Sequence, residues 1–391
     1  MSISAKNEGG ILCLSLSGRV DSVNAASVEE TITNLLTPET FDELVIDVEE
    51  LEYISSAGLR VILRLKKQYA KMRIINVSSE VYEVFEMTGF TEIIPVEKAY
   101  RRFSIDGCEV VGQGANGKVY RLDSDTIIKV YYNPDSLPDI QRERELARKA
   151  FVLGIPTAIP YDVVKVGESY GSVFELLNAK SFAKLIAAEP ENVDKYIALY
   201  VDLLKKIHGT VVPRGDMPDM KEVALNWAEF LAEYLPAEKY RKLHDLIEAV
   251  PANDHMMHGD YHIKNVMQQN GEVLLIDMDT LCVGDPVFEF ASIYLAYLGY
   301  SENDHEIIKD FLGIDHETAK YIWEQTLRLY LGTDDEAALR AAEEKAMVVG
   351  YTRMMRRTIR RQKGTEAGDA LIETCKRHLN ELLDRVDTLV F

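Results

Sequence analysis

Hydrophobic positions in the first hundred residues repeat with two different periods. A two-residue period over 11–18 predicts a strand, and a three-to-four-residue period over 25–36 predicts an amphipathic helix. Five further elements follow in alternation: a strand at 44–48, a helix at 55–71, a strand at 72–78, a short helix at 80–89 and an extended segment at 91–96. Alternating strands and helices predict an α/β domain, which we place at residues 1–100.

A different pattern begins after residues 101–107, a segment of mixed charge that we interpret as a linker. The strands and helix that follow are three strands over 108–132, a helix over 140–154, and strands at 162–167 and 171–177. From residue 179 the period is helical, except at 255–280, where two apolar runs flank a Gln-Asn-Gly turn. These features predict an α+β unit with a small antiparallel sheet lobe at 108–178 and a large, mainly helical lobe at 179–391.

Composition and charge exclude several function classes. The chain has 44 basic and 64 acidic side chains and a formal net charge of -20, so nucleic acid would be repelled. Its 4 cysteines lie far apart without a C-x-x-C pair, which indicates neither a disulfide framework nor a zinc site. The first ten residues have no apolar core of signal-peptide length, and no apolar stretch anywhere approaches the length of a membrane span. We therefore expect a cytoplasmic protein with neither nucleic-acid nor membrane partners.

The segment 255–280 carries the strongest cluster of chemically useful side chains. Asp260 follows a His-Gly pair, Asn265 lies five residues later, and Asp277 ends an apolar run. Phosphoryl transfer needs a carboxylate near the acceptor hydroxyl, and Mg²⁺ on the nucleotide phosphates needs carboxylate and amide oxygens. We therefore predict Asp260 as the catalytic base and Asn265 and Asp277 as Mg²⁺ ligands, with Asp279 either assisting or structural. The alternative is that these residues only satisfy backbone groups in turns.

A glycine-rich segment, 111–120, matches the pattern G-x-G-x-x-G-x-V. Gly112, Gly114 and Gly117 would let the backbone fold over phosphates without a Cβ in the way. In a dinucleotide-binding Rossmann unit this pattern opens a helix, whereas here the chain continues as a strand at 118–122. The segment, which includes Ala115, is therefore predicted to be a flap that binds the phosphates of a nucleotide.

Lys129 lies in the next strand, where a lysine would contact those phosphates. The following helix offers a carboxylate partner. Glu143 shares a helix face with Leu146 and Ala147 and should point inward, whereas Glu145 should point outward. We predict a catalytic role for Lys129 and Glu143, the alternative being ordinary solvated surface residues.

These motifs resemble the aminoglycoside phosphotransferase and choline kinase group, from about residue 108 to the C-terminal helices. Residues 258–265 are similar to its H-G-D-x-H-x-x-N loop, 273–280 to its metal-binding segment, and His208 to a buried histidine at a helix end. The resemblance implies a two-lobed protein-kinase-like fold with ATP in the cleft and its adenine near Glu175 and Leu177. It also implies Mg²⁺ and a small-molecule hydroxyl as the phosphate acceptor.

The chain departs from that family at three places. Lys264 stands where glycine is usual, Glu289 where aspartate is usual, and Ala179-Lys180 replaces a glycine. None of these departures removes a catalytic group, but they leave the acceptor class open.

The first domain resembles STAS domains of the anti-sigma-factor antagonist group. Residues 18–22 are similar to its G-x-x-D-x motif and 51–63 to its strand-to-helix segment. The resemblance implies phosphorylation at Ser56 and an anti-sigma-type protein partner. A phosphate would be favoured by the helix N-terminus but would add negative charge next to Asp47 and three glutamates at 49, 50 and 52. The alternative is that Ser55 and Ser56 only cap the helix.

Five arginines near the end of the chain recur at helical spacing and form what we call the arginine face: Arg353, Arg356, Arg357, Arg360 and Arg361. This face could bind an anionic acceptor, contact an acidic surface of the first domain, or be an ordinary solvated surface. It argues against a polycationic aminoglycoside as the substrate.

Together these features predict an ATP-dependent phosphotransferase that acts on a small-molecule hydroxyl and carries a regulatory STAS domain. Two alternatives are a protein kinase that modifies Ser56 and a pseudokinase that binds nucleotide without turnover. The intact set Lys129, Asp260, Asn265 and Asp277 argues against the pseudokinase, because a kinase fold without activity can lose any of them.

Overall fold

The computed structural model describes residues 1–114 and 116–391, so Ala115 of the glycine-rich segment lies outside the described residues. Its strands are β1 (Ser2–Glu8), β2 (Ile11–Val20), β3 (Glu43–Ile54), β4 (Met72–Val77), β5 (Val96–Lys98), β6 (Val110–Gln113), β7 (Gly117–Arg121), β8 (Thr126–Tyr131), β9 (Pro160–Val166), β10 (Ser169–Glu175), β11 (Lys180–Ser181), β12 (Met256–Met257), β13 (Val266–Gln269), β14 (Glu272–Leu275) and β15 (Cys282–Val283).

The α-helices are α1 (Ala25–Leu36), α2 (Ser56–Gln68), α3 (Ser79–Met87), α4 (Phe90–Ile93), α5 (Leu137–Val152), α6 (Phe182–Ala188), α7 (Val193–His208), α8 (Met220–Phe230), α9 (Ala237–Glu248), α10 (Pro286–Tyr297), α11 (Glu306–Leu312), α12 (His316–Leu331), α13 (Glu336–Gln362) and α14 (Glu366–Arg385). No helix in the described ranges is both long and apolar enough to span a membrane.

The chain divides into two compact units, one comprising residues 1–104 with 163–168 and the other 105–162 with 169–391. This division differs from the predicted boundaries, because residues 163–168 were expected in the sheet lobe. The backbone of Lys165 pairs with the predicted linker: its carbonyl accepts from Phe103 (2.8 Å) and its N–H donates to Arg101 (3.0 Å).

In the first unit, β1 to β5 form one sheet in sequence order, accompanied by α1 to α4. β1 and β2 pair antiparallel, and the other neighbours pair parallel. Alternate residues of β2, such as Leu12 and Leu14, are fully buried, as the two-residue period predicted. The predicted α/β fold is confirmed.

Three details of this unit differ from the prediction. β1 was missed because only Ile3 and Ala5 carry a two-residue period there, and neither is fully buried. β3 continues beyond 44–48 because its exposed acidic end still pairs with β2, through shifts in register. Residues 91–96 were expected to be extended, but α4 forms where Phe90 packs against the ring of Phe85 at 5.8 Å.

The second unit has the predicted small sheet and large helical lobe. β6, β7, β8 and β10 are consecutive neighbours in one sheet, and the pairs they form are antiparallel. In the helical lobe, residues 287–297 of α10 are buried on every side, as expected of a helix that is hydrophobic all round. β13 and β14 form the predicted hairpin, whose turn residues Asn270 and Gly271 both have positive φ (53° and 87°), as a type I′ turn requires.

Candidate active site

β8 and α5 bring the predicted lysine and glutamate together. The Nζ of Lys129 lies 2.9 and 3.1 Å from the two carboxylate oxygens of Glu143, which is 5% exposed. Burial alone would lower the pKa of Lys129, but the charges of Glu143 and Asp277 raise it well above 10.5. The lysine is therefore a fixed cation. Glu145 points outward and pairs with Arg148, as the helix face predicted.

Two hydroxyl groups next to this pair were not anticipated. Tyr131 donates a hydrogen bond to Glu143 Oε2 (2.6 Å), and its oxygen lies 3.4 Å from the Oγ of Ser172. The signal for Tyr131 was its position two residues after Lys129, on the same face of β8. Together these contacts hold the carboxylate of Glu143 in one orientation.

The three predicted glycines of the phosphate flap lie in and between β6 and β7. The N–H of Gly114 donates to the carbonyl of Gly117 at 3.0 Å, which closes the turn. A Cβ on Gly117 would lie 2.3 Å from the backbone oxygen of Val130, so glycine is sterically required there. A Cβ on Gly112 would make only ordinary contacts, and one on Gly114 would meet nothing within 4 Å. Only Gly117 of the three is therefore required on steric grounds.

The loop after β12 is fixed by the ring of His258. Its Nε2 lies 3.1 Å from the carbonyl oxygen of Ile276, which can only accept, so Nε2 carries the hydrogen. The Nδ1 then accepts from the backbone N–H of Asp260 at 3.3 Å. Thr280 donates to the carbonyl of His258 at 2.7 Å. The loop and the segment after β14 are thus tied together.

Both peptide groups that flank Gly259 are hydrogen-bonded to side chains on helices. Its φ is +79°, and a Cβ would lie 2.5 Å from the backbone oxygen of Thr280, so glycine is required. Its N–H donates to Glu289 Oε1 (2.9 Å). Its carbonyl accepts from Arg353 (3.0 Å) and from Ser292 Oγ (2.9 Å). The residue that follows, the predicted base, is therefore carried on a rigid backbone.

The side chain of Asp260 is 42% exposed, and one of its oxygens lies 3.6 Å from the Nε2 of His262. Partial burial would raise the pKa of this carboxyl, but the nearby imidazole of His262, with the charge of Arg353, lowers it to about 2. Asp260 is thus ionised at neutral pH and able to accept a proton. His262 was part of the quoted motif but was not predicted as a site residue.

Asn265 is buried and oriented by its neighbours. Its amide nitrogen donates to the carbonyl of Asp260 at 3.0 Å, and its backbone carbonyl accepts from Ile276 at 2.9 Å. Its Oδ1 accepts no hydrogen bond from any residue in the described part of the chain. This amide oxygen is therefore available to a cation.

Asp277 has the left-handed backbone angles φ 66° and ψ 67°, an uncommon conformation for a residue other than glycine. Its carboxylate is 44% exposed and lies 3.6 Å from the Nζ of Lys129. Two residues later, burial and then the charge of Asp277 raise the pKa of Asp279 to about 7. The segment after β14 therefore concentrates negative charge next to the lysine.

The donor set fits Mg²⁺, which prefers hard oxygen ligands and commonly takes one or two carboxylates together with phosphate oxygens and water. The carboxylate of Asp277 and the amide oxygen of Asn265 are such ligands. Within 1–114 and 116–391 no group of three or more His, Cys, Asp or Glu side chains is arranged to hold a metal alone. A cation here would thus depend on phosphate oxygens.

Glu175 and Leu177, predicted near the adenine, lie at and just after the end of β10, and both are half-buried. The carboxylate of Glu175 accepts from the backbone of Ile159 at 3.3 Å, so this side chain is occupied within the protein. The backbone N–H of Leu177 donates to none of the residues that the structure describes. A nucleotide base would therefore meet the backbone of Leu177 rather than the side chain of Glu175.

A cavity of 380 Å³ adjoins the Lys129–Glu143 pair. Its lining combines the glycine-rich turn, the end of β8, α5 and the segment after β14: Asn116, Tyr131, Tyr132, Asn133, Ser136, Asp139, Arg142, Glu143 and Asp279. The cavity therefore reaches from the glycine-rich turn to the segment after β14.

The departures from the family pattern have separate consequences. Lys264 is exposed, with its Nζ 5.3 Å from the ring centroid of Phe311. Glu289 on α10 is 0% exposed, and its second oxygen accepts from the backbone of His258 at 2.5 Å. Burial opposes its ionisation, but His208 and His258 lower the pKa of its carboxyl below the usual value. Glu289 therefore fixes the loop after β12 through the backbone of His258 and Gly259.

In the first unit, the two serines at the start of α2 have different environments. Ser55 is the N-cap, and its Oγ accepts from the backbone of Gly58 at 3.4 Å. Ser56 is the first residue of the helix and is exposed, and its hydroxyl makes no hydrogen bond to any described residue. The capping alternative thus applies to Ser55.

Both halves of the chain match known families. Residues 2–102 match the STAS domain family, and residues 107–325 match the phosphotransferase enzyme family. Over 91 residues the chain is 37% identical to BtrV of Bordetella bronchiseptica, named as an anti-sigma factor antagonist, a match covering 22% of this chain and 78% of that protein. Over 100 residues it is 23% identical to an anti-sigma F factor antagonist of Paenibacillus polymyxa, covering 25% of this chain and 86% of that protein.

Solved structures that resemble the chain include ADP-bound aminoglycoside phosphotransferase APH(2'')-Ib, with 16% identity, a TM-score of 0.48, and coverage of 79% of this chain and 99% of that one. A choline/ethanolamine kinase family protein from Mesorhizobium loti has 15% identity, a TM-score of 0.45, and coverage of 71% and 88%. The two resemblances seen in the sequence are confirmed by the family matches. Since residues 107–325 make up more than half of its 391 residues, the chain belongs to the phosphotransferase enzyme family, and it carries a STAS domain before the phosphotransferase domain.

Proposed function

We propose that this protein transfers the γ-phosphoryl group of ATP to a hydroxyl of a small molecule, and that the STAS domain regulates this activity. One observation carries the proposal: the 3.6 Å contact between Lys129 and Asp277. This contact connects Lys129 and Glu143 of the sheet lobe with the aspartates that follow β14. Phosphoryl transfer requires the phosphate-binding lysine and the metal-binding carboxylate in one place.

In the proposed reaction each residue has one task. The carboxylate of Asp260 accepts the proton of the acceptor hydroxyl. The acceptor oxygen forms a bond to the γ-phosphorus, and the bond from that phosphorus to the β–γ bridging oxygen breaks, so that ADP leaves. Lys129, oriented by Glu143, binds phosphate oxygens of the nucleotide, and the flap with Gly112, Gly114 and Gly117 covers them.

Asn265 and Asp277 are the residues that would hold Mg²⁺. When bound, the ion would neutralise charge on the phosphates. The rigid loop around Gly259 would keep Asp260 at the acceptor.

The pseudokinase alternative is disfavoured by the preserved geometry. Lys129 is paired, Asp260 is ionised, and Asn265 presents a free oxygen. Each of these features would be dispensable in a protein that only binds nucleotide.

The test is to incubate the full-length chain with Mg²⁺ and ATP labelled on the γ-phosphate, with and without a panel of hydroxylated metabolites. We expect label to move to a small molecule and ADP release to rise with that acceptor. Label on Ser56 would instead favour the protein-kinase alternative. Label that stays on ATP in every arm would contradict both kinase activities and favour the pseudokinase alternative.

The regulatory part of the proposal rests on Ser56, whose exposed hydroxyl is available for modification. A partner of the anti-sigma type is the protein we propose for this surface, as implied by the relatives of the first domain.

Comparing the stabilities of two serine variants tests which serine caps α2 and which is free for modification. We expect Ser55→Ala to lower the free energy of unfolding of the first unit by about 1 kcal/mol, the usual cost of a lost N-cap. Ser56→Ala should change it by less than about 0.5 kcal/mol, as for an exposed residue without contacts. Urea unfolding of the full chain, followed by circular dichroism, measures both. Equal losses in the two variants would show that Ser56 is part of the cap.

A further inference from the structure

The arginine face lies on α13, and one end of it touches the proposed catalytic loop. Arg353 donates one nitrogen both to the carbonyl of Gly259 and to Ser292 Oγ, at 3.0 Å each. Gly259 directly precedes the proposed base Asp260. The face therefore starts at the position where the acceptor hydroxyl would be bound.

Three of the five arginines lie over aromatic rings. The guanidinium carbons lie 5.7 Å from the ring centroid of Trp227 for Arg353 and 5.7 Å from that of Phe230 for Arg356. Arg357 lies 5.6 Å from the ring centroid of Tyr300. Aromatic faces hold guanidinium groups in place without neutralising them. These side chains are thus oriented while their charge stays available.

None of the five arginines forms an ion pair with a residue of the described chain. Other arginines of the described chain, such as Arg340 on the same helix, also lack one, so what sets these five apart is that they lie together on one face. Elsewhere arginines do pair with carboxylates: Arg64 with Glu29, Arg73 with Glu43, Arg148 with Glu145, and Arg385 with Glu344.

Arg356 is the arginine of this face that has an unsatisfied buried donor. It is half-buried, and its Nε is buried without a hydrogen-bond partner among the residues described. Burial, and then the charge of Arg360, lower the pKa of its guanidinium. A buried donor without an acceptor is costly, and a guanidinium is matched in geometry by a carboxylate or a phosphate.

We propose that the acceptor carries an anionic group, a carboxylate or a phosphate, which Arg356 binds with help from Arg360 while the acceptor hydroxyl meets Asp260. This inference rests on the proposed phosphotransferase function and narrows its substrate class. Arg353 and Arg356 are three residues apart, so the anion would lie roughly one helical turn, about 5 Å along α13, beyond the arginine that touches the loop. An acceptor the size of glycerol 3-phosphate or a sugar phosphate would span that distance.

The experiment compares probes that share a carbon skeleton and differ in charge. Glycerol 3-phosphate, glycerate and glycerol are titrated calorimetrically into the full-length protein saturated with Mg²⁺ and ADP, and streptomycin serves as the cationic probe. The variants are Arg356→Ala and, as a matched control, Arg340→Ala, an exposed arginine near the other end of the same helix. ADP release from ATP is measured with the same four compounds.

We expect at least one anionic probe to bind, and Arg356→Ala to weaken its binding about 10–100-fold, the range expected for a lost charge-assisted hydrogen bond. Arg340→Ala should leave it unchanged. Glycerol 3-phosphate and glycerate distinguish a phosphate from a carboxylate. Where an anion supports turnover, KM for the anion should rise in Arg356→Ala, while KM for ATP stays constant.

Equal binding of the anionic probes to wild type and Arg356→Ala would overturn the inference, as would tighter binding of glycerol or streptomycin. ADP release stimulated by streptomycin and unaffected by Arg356→Ala would overturn it too, while leaving phosphoryl transfer intact. Arginine-dependent anion binding without ADP release in any arm would support the anion site and count against the transferase proposal.

Discussion

Replacing Asp260 by asparagine is expected to lower kcat by about 10²–10⁴-fold, the usual contribution of a general base. The substitution removes the proton acceptor but keeps the size of the side chain. The hydrogen bonds that fix the loop at this residue use its backbone, which accepts from Asn265 and donates to His258. The fold and the affinity for Mg²⁺-ATP should therefore stay close to those of the wild type.

Steady-state kinetics with the acceptor identified by labelling, together with calorimetric titration of Mg²⁺-ATP, measure this prediction. Glu272→Gln, which changes an exposed carboxylate at the start of β14, is the control and should have normal kcat. Turnover of Asp260→Asn within a fewfold of the wild type would show that another group accepts the proton.

Asp277→Asn should affect binding as well as turnover, because a metal ligand contributes to the affinity for the nucleotide complex. We expect the affinity for Mg²⁺-ATP to fall by at least 10–100-fold, which is roughly the effect of losing even an indirect metal contact. Asparagine is the suitable replacement, since it tolerates the left-handed backbone at φ 66° better than alanine does.

Titration of ATP with and without Mg²⁺ provides the control for Asp277→Asn. The variant and the wild type should bind metal-free ATP with similar affinity, and the difference should appear only when Mg²⁺ is present. An equal loss in both conditions would indicate that Asp277 acts through Lys129 and not as a metal ligand.

The elements that the sequence predicted well are those whose side chains alternate between core and solvent. β2 and α1 have such patterns, and their bounds lie close to the predicted ones. The β13–β14 hairpin was predicted from its turn residues instead. β1 and α4 could not be found in this way. β1 is determined by backbone pairing with β2 and buries no side chain completely, whereas α4 depends on one packed aromatic pair.

The residues of the candidate site also differ in how well the sequence predicts them. Asp260, Asn265 and Asp277 lie within one short segment, so their spacing along the chain already predicted that they act together. Ser292 and Arg353 come from helices far along the chain, and only packing shows that they contact the loop. No local pattern distinguishes Arg353 from the other arginines of its face.

The anchoring of the catalytic loop to α10 has a consequence for motion. Glu289 and Ser292 lie on a helix that is buried on all sides, and they bind both peptide groups that flank Gly259. Opening the loop therefore requires breaking contacts to a helix buried on all sides, and core helices generally open with free energies close to that of global unfolding. The proposed proton acceptor, which directly follows Gly259, is therefore held in one position by buried contacts.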